Sequence, residues 1–257
     1  SCGKLMLLSS DATKQLHVNA LVYVHQFEAI TIPKDRLMSR VAERVADRRV
    51  LALIRSYLDQ GVMEDLKLYE PTERGTPQGA VISPLLANIY LDPLDHLMAG
   101  LGFEMVRYAD DFVLLCRSEE EAKAALARVQ AWVEENGLTL HPEKTRIVDA
   151  SLKGGFDFLG YHFERGWRWP RRKAMDKLRD RVRDLTRRNN GVSLEATIAC
   201  LNDTLRGWYG YFKHSHRTAF DDMDRFVRGR LRSVLRTRAG RRGRARGSDH
   251  QLWPNHY

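Results

Sequence analysis

The run Arg107-Tyr108-Ala109-Asp110-Asp111-Phe112-Val113-Leu114-Leu115 sets two neighbouring carboxylates between apolar, β-prone stretches. Phe103-Glu104-Met105-Val106 before the pair and Phe112 to Cys116 after it read as strands, so the acids fall at or beside the turn of a hairpin. Side chains alternate along a strand, so at most one of two adjacent acids points squarely at a given ligand while the other assists. Asp is also a common turn residue, and the pair by itself is equally consistent with a turn that has no chemistry.

Charge divides the chain around this feature. Residues 165–257 carry 24 Lys and Arg against 9 Asp and Glu, a net +15, whereas residues 1–164 carry 18 against 24, a net −6. Trp167, Trp169, Trp208, Tyr209, Tyr211 and Phe212 are interleaved with the rear cations. That is the pattern of a nucleic-acid-holding module behind a mildly acidic body, the plainer alternative being a solvated charged face. A length of 257 residues allows one large domain or two of ordinary size, and 43% hydrophobic content supports a sizeable core. No apolar run approaches the roughly 18 to 20 residues that span a bilayer, and no basic segment followed by an apolar stretch opens the sequence. A cytoplasmic protein with no membrane partner is expected. Cys2, Cys116 and Cys200 lie too far apart in sequence to suggest a disulfide framework or a cysteine-rich zinc site.

In chain order, Leu21-Val22-Tyr23-Val24 reads as a short strand, and Ile32-Pro33 leads into a helix with Leu37, Val41 and Val45 at helical spacing. A second helix carries Val50, Leu53, Ile54, Tyr57 and Leu58 and stops at Gly61. The loop Arg74-Gly75-Thr76-Pro77-Gln78-Gly79 flows into a helix that Ser83 caps and Pro84 starts. Its glycines allow close backbone approach to a ligand, and Gln78 offers both donors and acceptors. Ser118-Glu119-Glu120-Glu121 is a capping box for a helix ended by Gly137. His141-Pro142-Glu143-Lys144-Thr145 is a loop flanked by strand-like residues, and Phe156 to Phe163 is an aromatic strand pair broken at Gly160. Those aromatics either stack on a nucleic acid or fill a core. From Trp167 the pattern is helical and basic, with Met175, Leu178, Val182 and Leu185 on one stripe. A Gly/Arg tract at residues 236–246 has the composition of a phosphate-seeking tail, and a domain boundary is expected near Gly166.

Five motifs now stand in one order: Arg-Gly-Thr-Pro-Gln-Gly-(x)3-Ser-Pro, Tyr-Ala-Asp-Asp, Pro-Glu-Lys-Thr, Phe-Leu-Gly-Tyr and Arg-Gly-Trp-Tyr-Gly-Tyr-Phe. Together they resemble the reverse transcriptases encoded by bacterial group II introns, and the last resembles their maturase thumb. The resemblance implies an α+β fold, a polymerase palm of antiparallel sheet with packed helices over residues 1–165, then an all-α basic thumb or maturase domain over residues 166–257. It implies an RNA-directed DNA polymerase acting on RNA template, DNA primer, dNTP and intron RNA, with two Mg²⁺ ions bound by carboxylates. Hard cations on oxygen ligands stabilise the attacking 3′-oxygen and the departing pyrophosphate. By resemblance, Asp110 and Asp111 are metal ligands and Lys144 serves the leaving pyrophosphate. Arg74, Gly75, Pro77, Gln78, Gly79 and Tyr108 lie at the incoming nucleotide and template. Phe158, Leu159, Gly160 and Tyr161 form a primer grip, and Arg206 and Trp208 belong to the RNA-holding thumb.

The chain departs from the family upstream. Counting back from Ile32-Pro33, the family's first metal-binding Asp falls at Val24, a hydrocarbon that cannot bind magnesium. His25 and Glu28 are near in sequence, but Glu28 comes four residues later. The roughly 30 residues at the start are unlike the family, and the fingers expected before the palm are missing. Two functions therefore compete, a Mg-dependent reverse transcriptase and a non-catalytic RNA-binding maturase; a DNA-binding module leaves the palm motifs unexplained.

Overall fold

β-prone and helix-prone stretches alternate through the front of the chain, and the sheet they build is antiparallel throughout. The computed structural model describes residues 20–24, 32–59, 62–64, 67–69, 82–142, 145–188, 191–241 and 247–254, with 20–24, 62–64 and 67–69 described by backbone alone. These residues form two compact units that divide between Leu152 and Lys153.

The first unit runs β1 (Ala20–Val24), α1 (Lys34–Ala42), α2 (Arg48–Asp59), β2 (Val62–Glu64), β3 (Lys67–Tyr69), α3 (Ser83–Gly100), β4 (Glu104–Tyr108), β5 (Asp111–Cys116), α4 (Glu119–Glu135) and β6 (Thr145–Val148). Its main sheet has the order β4-β5-β1-β6, while β2 and β3 pair separately. Phe112, Leu114 and Cys116 alternate along β5 and are buried with Leu37 and Val41 of α1, Leu86, Tyr90 and Leu94 of α3, and Ala125, Val129 and Val133 of α4. Each such aliphatic or aromatic burial contributes about 1.5–3 kcal/mol, so the helix-covered face of the sheet dominates the stability of this unit. Asp111 falls on the opposite phase of β5 from Phe112.

The helix ends follow the sequence closely. Ser118 caps α4 by accepting from the Glu121 N–H at 3.2 Å, while the Glu121 carboxylate accepts from the Arg117 N–H at 2.6 Å. Gly137, at φ 70°, ends it, and the Tyr90 hydroxyl donates to the Asn136 carbonyl at 2.6 Å, tying α3 to the end of α4. One detail differs: Ser83 is the first residue of α3 and Ile82 its cap, without a capping side chain. Pro84 still lies in the first turn, where its missing N–H is harmless.

The second unit opens with a three-stranded antiparallel sheet, β7 (Phe156–Phe158), β8 (Tyr161–Glu164) and β9 (Trp167–Pro170), followed by α5 (Arg172–Leu185), α6 (Leu194–Phe212), α7 (Thr218–Arg238) and α8 (Gly247–Leu252). At the expected boundary near Gly166 stands a tight hairpin turn, Arg165 at φ 52° and Gly166 at φ 75°, joining β8 to β9. Two successive positive φ values are the mark of a type I′ hairpin, and Trp167-Arg168-Trp169 alternates as a strand, so the helical pattern begins only at Arg172. Gly155 is required where it stands: a Cβ there would lie 1.9 Å from the Phe163 carbonyl oxygen. Met175, Leu178 and Val182 of α5 meet Leu201 of α6 and Met223 and Val227 of α7 in a separate helical core. The start of the Gly/Arg tract is not a free tail. Arg236 lies in α7 and pairs at 2.6 Å with Asp249, which is fully buried, and Arg241 reaches the same carboxylate at 3.4 Å. Residues 242–246 lie outside the described residues. No helix among the described residues is long and apolar enough to cross a membrane.

Candidate functional site

Asp110 and Asp111 stand at the tip of the β4–β5 hairpin. Tyr108 pairs directly with Asp111, leaving Ala109 and Asp110 as a two-residue turn. Ala109 alone of the two has positive φ, at 53°, the sign pattern of a type II′ turn normally given to glycine. Directly opposed residues share a sheet face, so Tyr108, which is exposed, lies beside Asp111. The Asp111 Oδ1 atom is shielded from solvent, while Asp110 is partly exposed.

Arg107 holds this tip in place. Its guanidinium takes the Asp95 carboxylate in a two-point grip, Nε at 2.8 Å and Nη2 at 2.5 Å, and its Nη1 donates to Asn88 at 2.7 Å. The same Nη1 donates to the Ala109 carbonyl at 2.8 Å. Asn88 and Asp95 are two turns apart on α3 and so present both acceptors along one face. A planar fork with several donors is the side chain that can bind a carboxylate and a turn carbonyl together. The hairpin tip is thereby registered to α3. Arg107 stands in the acid-bearing motif without this role being evident from sequence, and Asn88 and Asp95 were missed there; their polar i, i+7 spacing on an otherwise apolar helix was the available signal.

The two rear motifs meet in the second unit. Phe158 and Tyr161 close the β7–β8 hairpin, with Leu159 at φ 48° and Gly160 at φ 81° as its turn. The Tyr161 ring packs on Phe212 at 5.0 Å, and Phe212 packs on Trp208 at 4.9 Å. The Tyr211 hydroxyl donates to the Leu159 carbonyl at 2.7 Å, and the Tyr161 hydroxyl donates to the Tyr211 carbonyl. Phe158 and Tyr161 are buried, and burial raises the Tyr161 hydroxyl above its usual pKa. Of the two readings of these aromatics, stacking or core filling, the rings of Phe158 and Tyr161 take the second, and what this hairpin presents is its turn at residues 159–160. Trp208 is likewise packed against the helical core, whereas Arg206 is 80% exposed on its side chain and only loosely paired, 3.9 Å from Asp203. Arg74, Gly75, Pro77, Gln78, Gly79 and Lys144 lie outside the described residues.

Comparison with known proteins decides the family. Residues 30–163 match the reverse transcriptase (RNA-dependent DNA polymerase) family, and residues 175–253 match the group II intron maturase-specific domain. The chain belongs to the group II intron reverse transcriptase/maturase family. Among its relatives, an uncharacterized 91 kDa protein in the cob intron of Schizosaccharomyces pombe is 26% identical over 179 residues, covering 47% of this chain and 22% of the relative. Protein YkfC of Escherichia coli is 28% identical over 168 residues, covering 52% and 44%. The group II intron-encoded protein LtrA of Lactococcus lactis subsp. cremoris is 38% identical over 71 residues, covering 28% and 12%. The reverse transcriptase/maturase chain thus spans less than half the length of these relatives. Its family boundary, between residues 163 and 175, differs from its physical one: β7 and most of β8 lie in the polymerase-family match, β9 lies between the two matches, and all three strands belong to the unit that holds the helices.

The family implies bound magnesium, and the donor set tests that implication. The backbone pairs Val24 with Phe112, the residue after Asp111, and with Thr145, the residue after Lys144. The strand end expected to bring a third carboxylate is therefore beside the hairpin and carries valine. Among the described residues, no group of three or more His, Cys, Asp or Glu could hold a metal ion. Asp110 and Asp111 are the hard oxygen donors that magnesium takes, and the remaining ligands would be substrate phosphates, water or groups outside the described residues.

Proposed function

We propose that this chain is the RNA-binding, maturase-type portion of its family, holding structured intron RNA with its second unit. The observation that carries this is the net +15 of residues 165–257 on an ordered scaffold. Asp176, Asp180, Asp184, Asp222 and Asp224 each face an arginine one helical turn away. These exposed pairs contribute only about 0.3–0.5 kcal/mol each. They absorb few of the cations, and the excess remains to attract phosphate.

RNA-directed DNA synthesis is the second reading, and the Arg107 clamp favours it, because it keeps the acid-bearing turn in a defined position. In that reading Asp110 and Asp111 hold magnesium together with an oxygen ligand from outside the described residues, Glu28 being the candidate in sequence. Salt-dependent binding of the chain to a structured intron RNA, followed by primer extension on an RNA template with Mg²⁺, separates the two. Tight binding that weakens about a thousandfold or more between about 50 and 200 mM salt, without nucleotide incorporation, supports the maturase reading. Incorporation abolished by Asp110→Asn supports the polymerase reading. Salt-insensitive or absent RNA binding removes the first.

A further inference from the structure

The corner where β9 meets the turn between α6 and α7 has no part in the site above, and it combines three features seldom found together. Its exposed aromatic ring is fixed, its backbone is tied down, and its surroundings are cationic. Trp167 is 51% exposed, yet its indole is not free to swing: the His216 ring meets it edge-on at 4.9 Å. His216 is itself wedged against Trp169 at 5.7 Å. Its Nδ1 lies 2.9 Å from the Thr218 hydroxyl and accepts from the Thr218 N–H at 3.4 Å. The His216 N–H donates to the Arg168 carbonyl at 2.8 Å, and the Arg168 Nε donates to the His214 carbonyl at 2.6 Å, so strand and turn form one rigid piece.

A half-exposed tryptophan that is held from one side loses apolar burial and gains no flexibility; Tyr209 and Tyr211 are as exposed, but Tyr211 is spent on the Leu159 carbonyl and the Tyr161 ring, and Tyr209 packs edge-on against Phe220. Such a ring presents one preformed apolar face. Arg165 precedes it in the β8–β9 turn and is exposed, and Lys213 and Arg217 flank the docked turn, Arg217 with 88% of its side chain exposed. Desolvation first, then the nearby Arg168 and Lys213 charges, holds the His214 imidazole below its ordinary pKa, as a locally positive field should. Two carboxylates are close. Glu164 pairs with Trp167 across the strands but is occupied by the Gly154 N–H at 2.9 Å, and Asp221 lies 3.9 Å from Arg217.

We propose that Trp167 is a stacking platform for one unpaired base of a bound RNA strand, with Arg165 and Arg217 taking the flanking phosphates. Every nucleobase offers a π-face to an aromatic ring, and backbone phosphates beside the stacked base match the cations on either side. This rests on the RNA-binding function proposed above, and it adds a site that distinguishes unpaired from duplex strands.

The test uses the whole chain with a short single-stranded RNA carrying one photoreactive 5-iodouridine, a duplex RNA of the same length, and single-stranded DNA of the same sequence. Irradiation and mass spectrometry of the wild-type complex should place a crosslink on the peptide containing Trp167. Trp167→Ala should weaken single-strand binding about tenfold while leaving duplex binding within about twofold, and Trp167→Phe should restore most of the loss. Arg165→Gln should lower the salt dependence of single-strand binding by about one phosphate contact. Wild-type binding of RNA with no crosslink at Trp167, or an equal loss on single strand and duplex, overturns the stacking site while the RNA-binding function stands. Preference for DNA over RNA, or a face blocked by a protein partner in competition, likewise overturns it. Failure of the wild-type chain to bind any of the three strands removes the parent function as well.

Discussion

The turns at residues 109–110 and 159–160 each push a non-glycine residue into positive φ, 53° at Ala109 and 48° at Leu159. Each then has its first turn carbonyl held by a side chain, Arg107 on Ala109 at 2.8 Å and Tyr211 on Leu159 at 2.7 Å. Left-handed backbone costs a non-glycine residue about 1–2 kcal/mol, so both turns need an external partner to persist. The partners differ in what they leave behind. Arg107 reaches α3 from the helix-covered face and leaves Tyr108, Asp110 and Asp111 at the tip. Tyr211 belongs to an aromatic stack that draws Tyr161 into the core of the second unit. The same local device thus leaves one hairpin with its carboxylates at the tip and makes the other a keystone of packing.

The largest break in this comparison should come from Tyr161→Ala. The ring is 8% exposed and packs on Tyr211 and Phe212, and removal of a buried aromatic costs about 3–5 kcal/mol. Urea denaturation followed by a signal from the second unit measures it. A cost below about 1 kcal/mol would mean that the ring is not core.

Asp95→Ala strikes the other hairpin and should cost about 2 kcal/mol. Only 9% of the Arg107 side chain is exposed and it would lose its carboxylate, but Asp95 is 35% exposed, which reduces the penalty below that of a fully buried pair. Cys116 supplies a reporter. It is buried at the far end of β5, and burial, with Glu121 adding to it, pushes its thiol up to about 11, whereas Cys200 is exposed. At neutral pH an alkylating reagent should label Cys200 readily and Cys116 only through opening of the first unit. Asp95→Ala should raise Cys116 labelling by about thirtyfold and leave Cys200 unchanged. Equal Cys116 rates in the variant and the parent chain would show that the clamp bears no weight.

The contrast also explains what could be read before the structure. Periodicity located the helices, the Ser118 cap, the Gly137 stop and the β4–β5 hairpin, because each depends on a few neighbouring residues. The ordered motifs identified the family by adding local signals. The fate of Tyr161 and Trp208 was not legible, since an aromatic run has the same pattern whether it faces a base or another ring; both pack on Phe212, more than fifty residues downstream of Tyr161. The boundary at Arg165-Gly166 falls between the two family matches, but sequence did not show that a type I′ turn stands there, because a glycine after a charged residue suits both a linker and such a turn. Arg107 escaped notice because its acceptors, Asn88 and Asp95, lie on a helix that sequence could not orient toward the hairpin.

The smallest effect sharpens the comparison most. Ala109→Gly removes the left-handed strain, about 1 kcal/mol, but returns freedom to the unfolded chain, about 0.5–1 kcal/mol, so alone it should change stability by less than about 0.5 kcal/mol. Its value lies in combination with Arg107→Met, which keeps an unbranched apolar stem and removes every donor. If Arg107 holds the Ala109 turn against its strain, the glycine substitution makes the hold less necessary, and Arg107→Met should cost about 0.5 kcal/mol less in the Ala109→Gly background. The remaining cost of Arg107→Met then reports the bonds to Asp95 and Asn88. Zero coupling in the double-mutant cycle would assign the whole effect to α3 and leave the 2.8 Å bond to Ala109 without consequence for the tip.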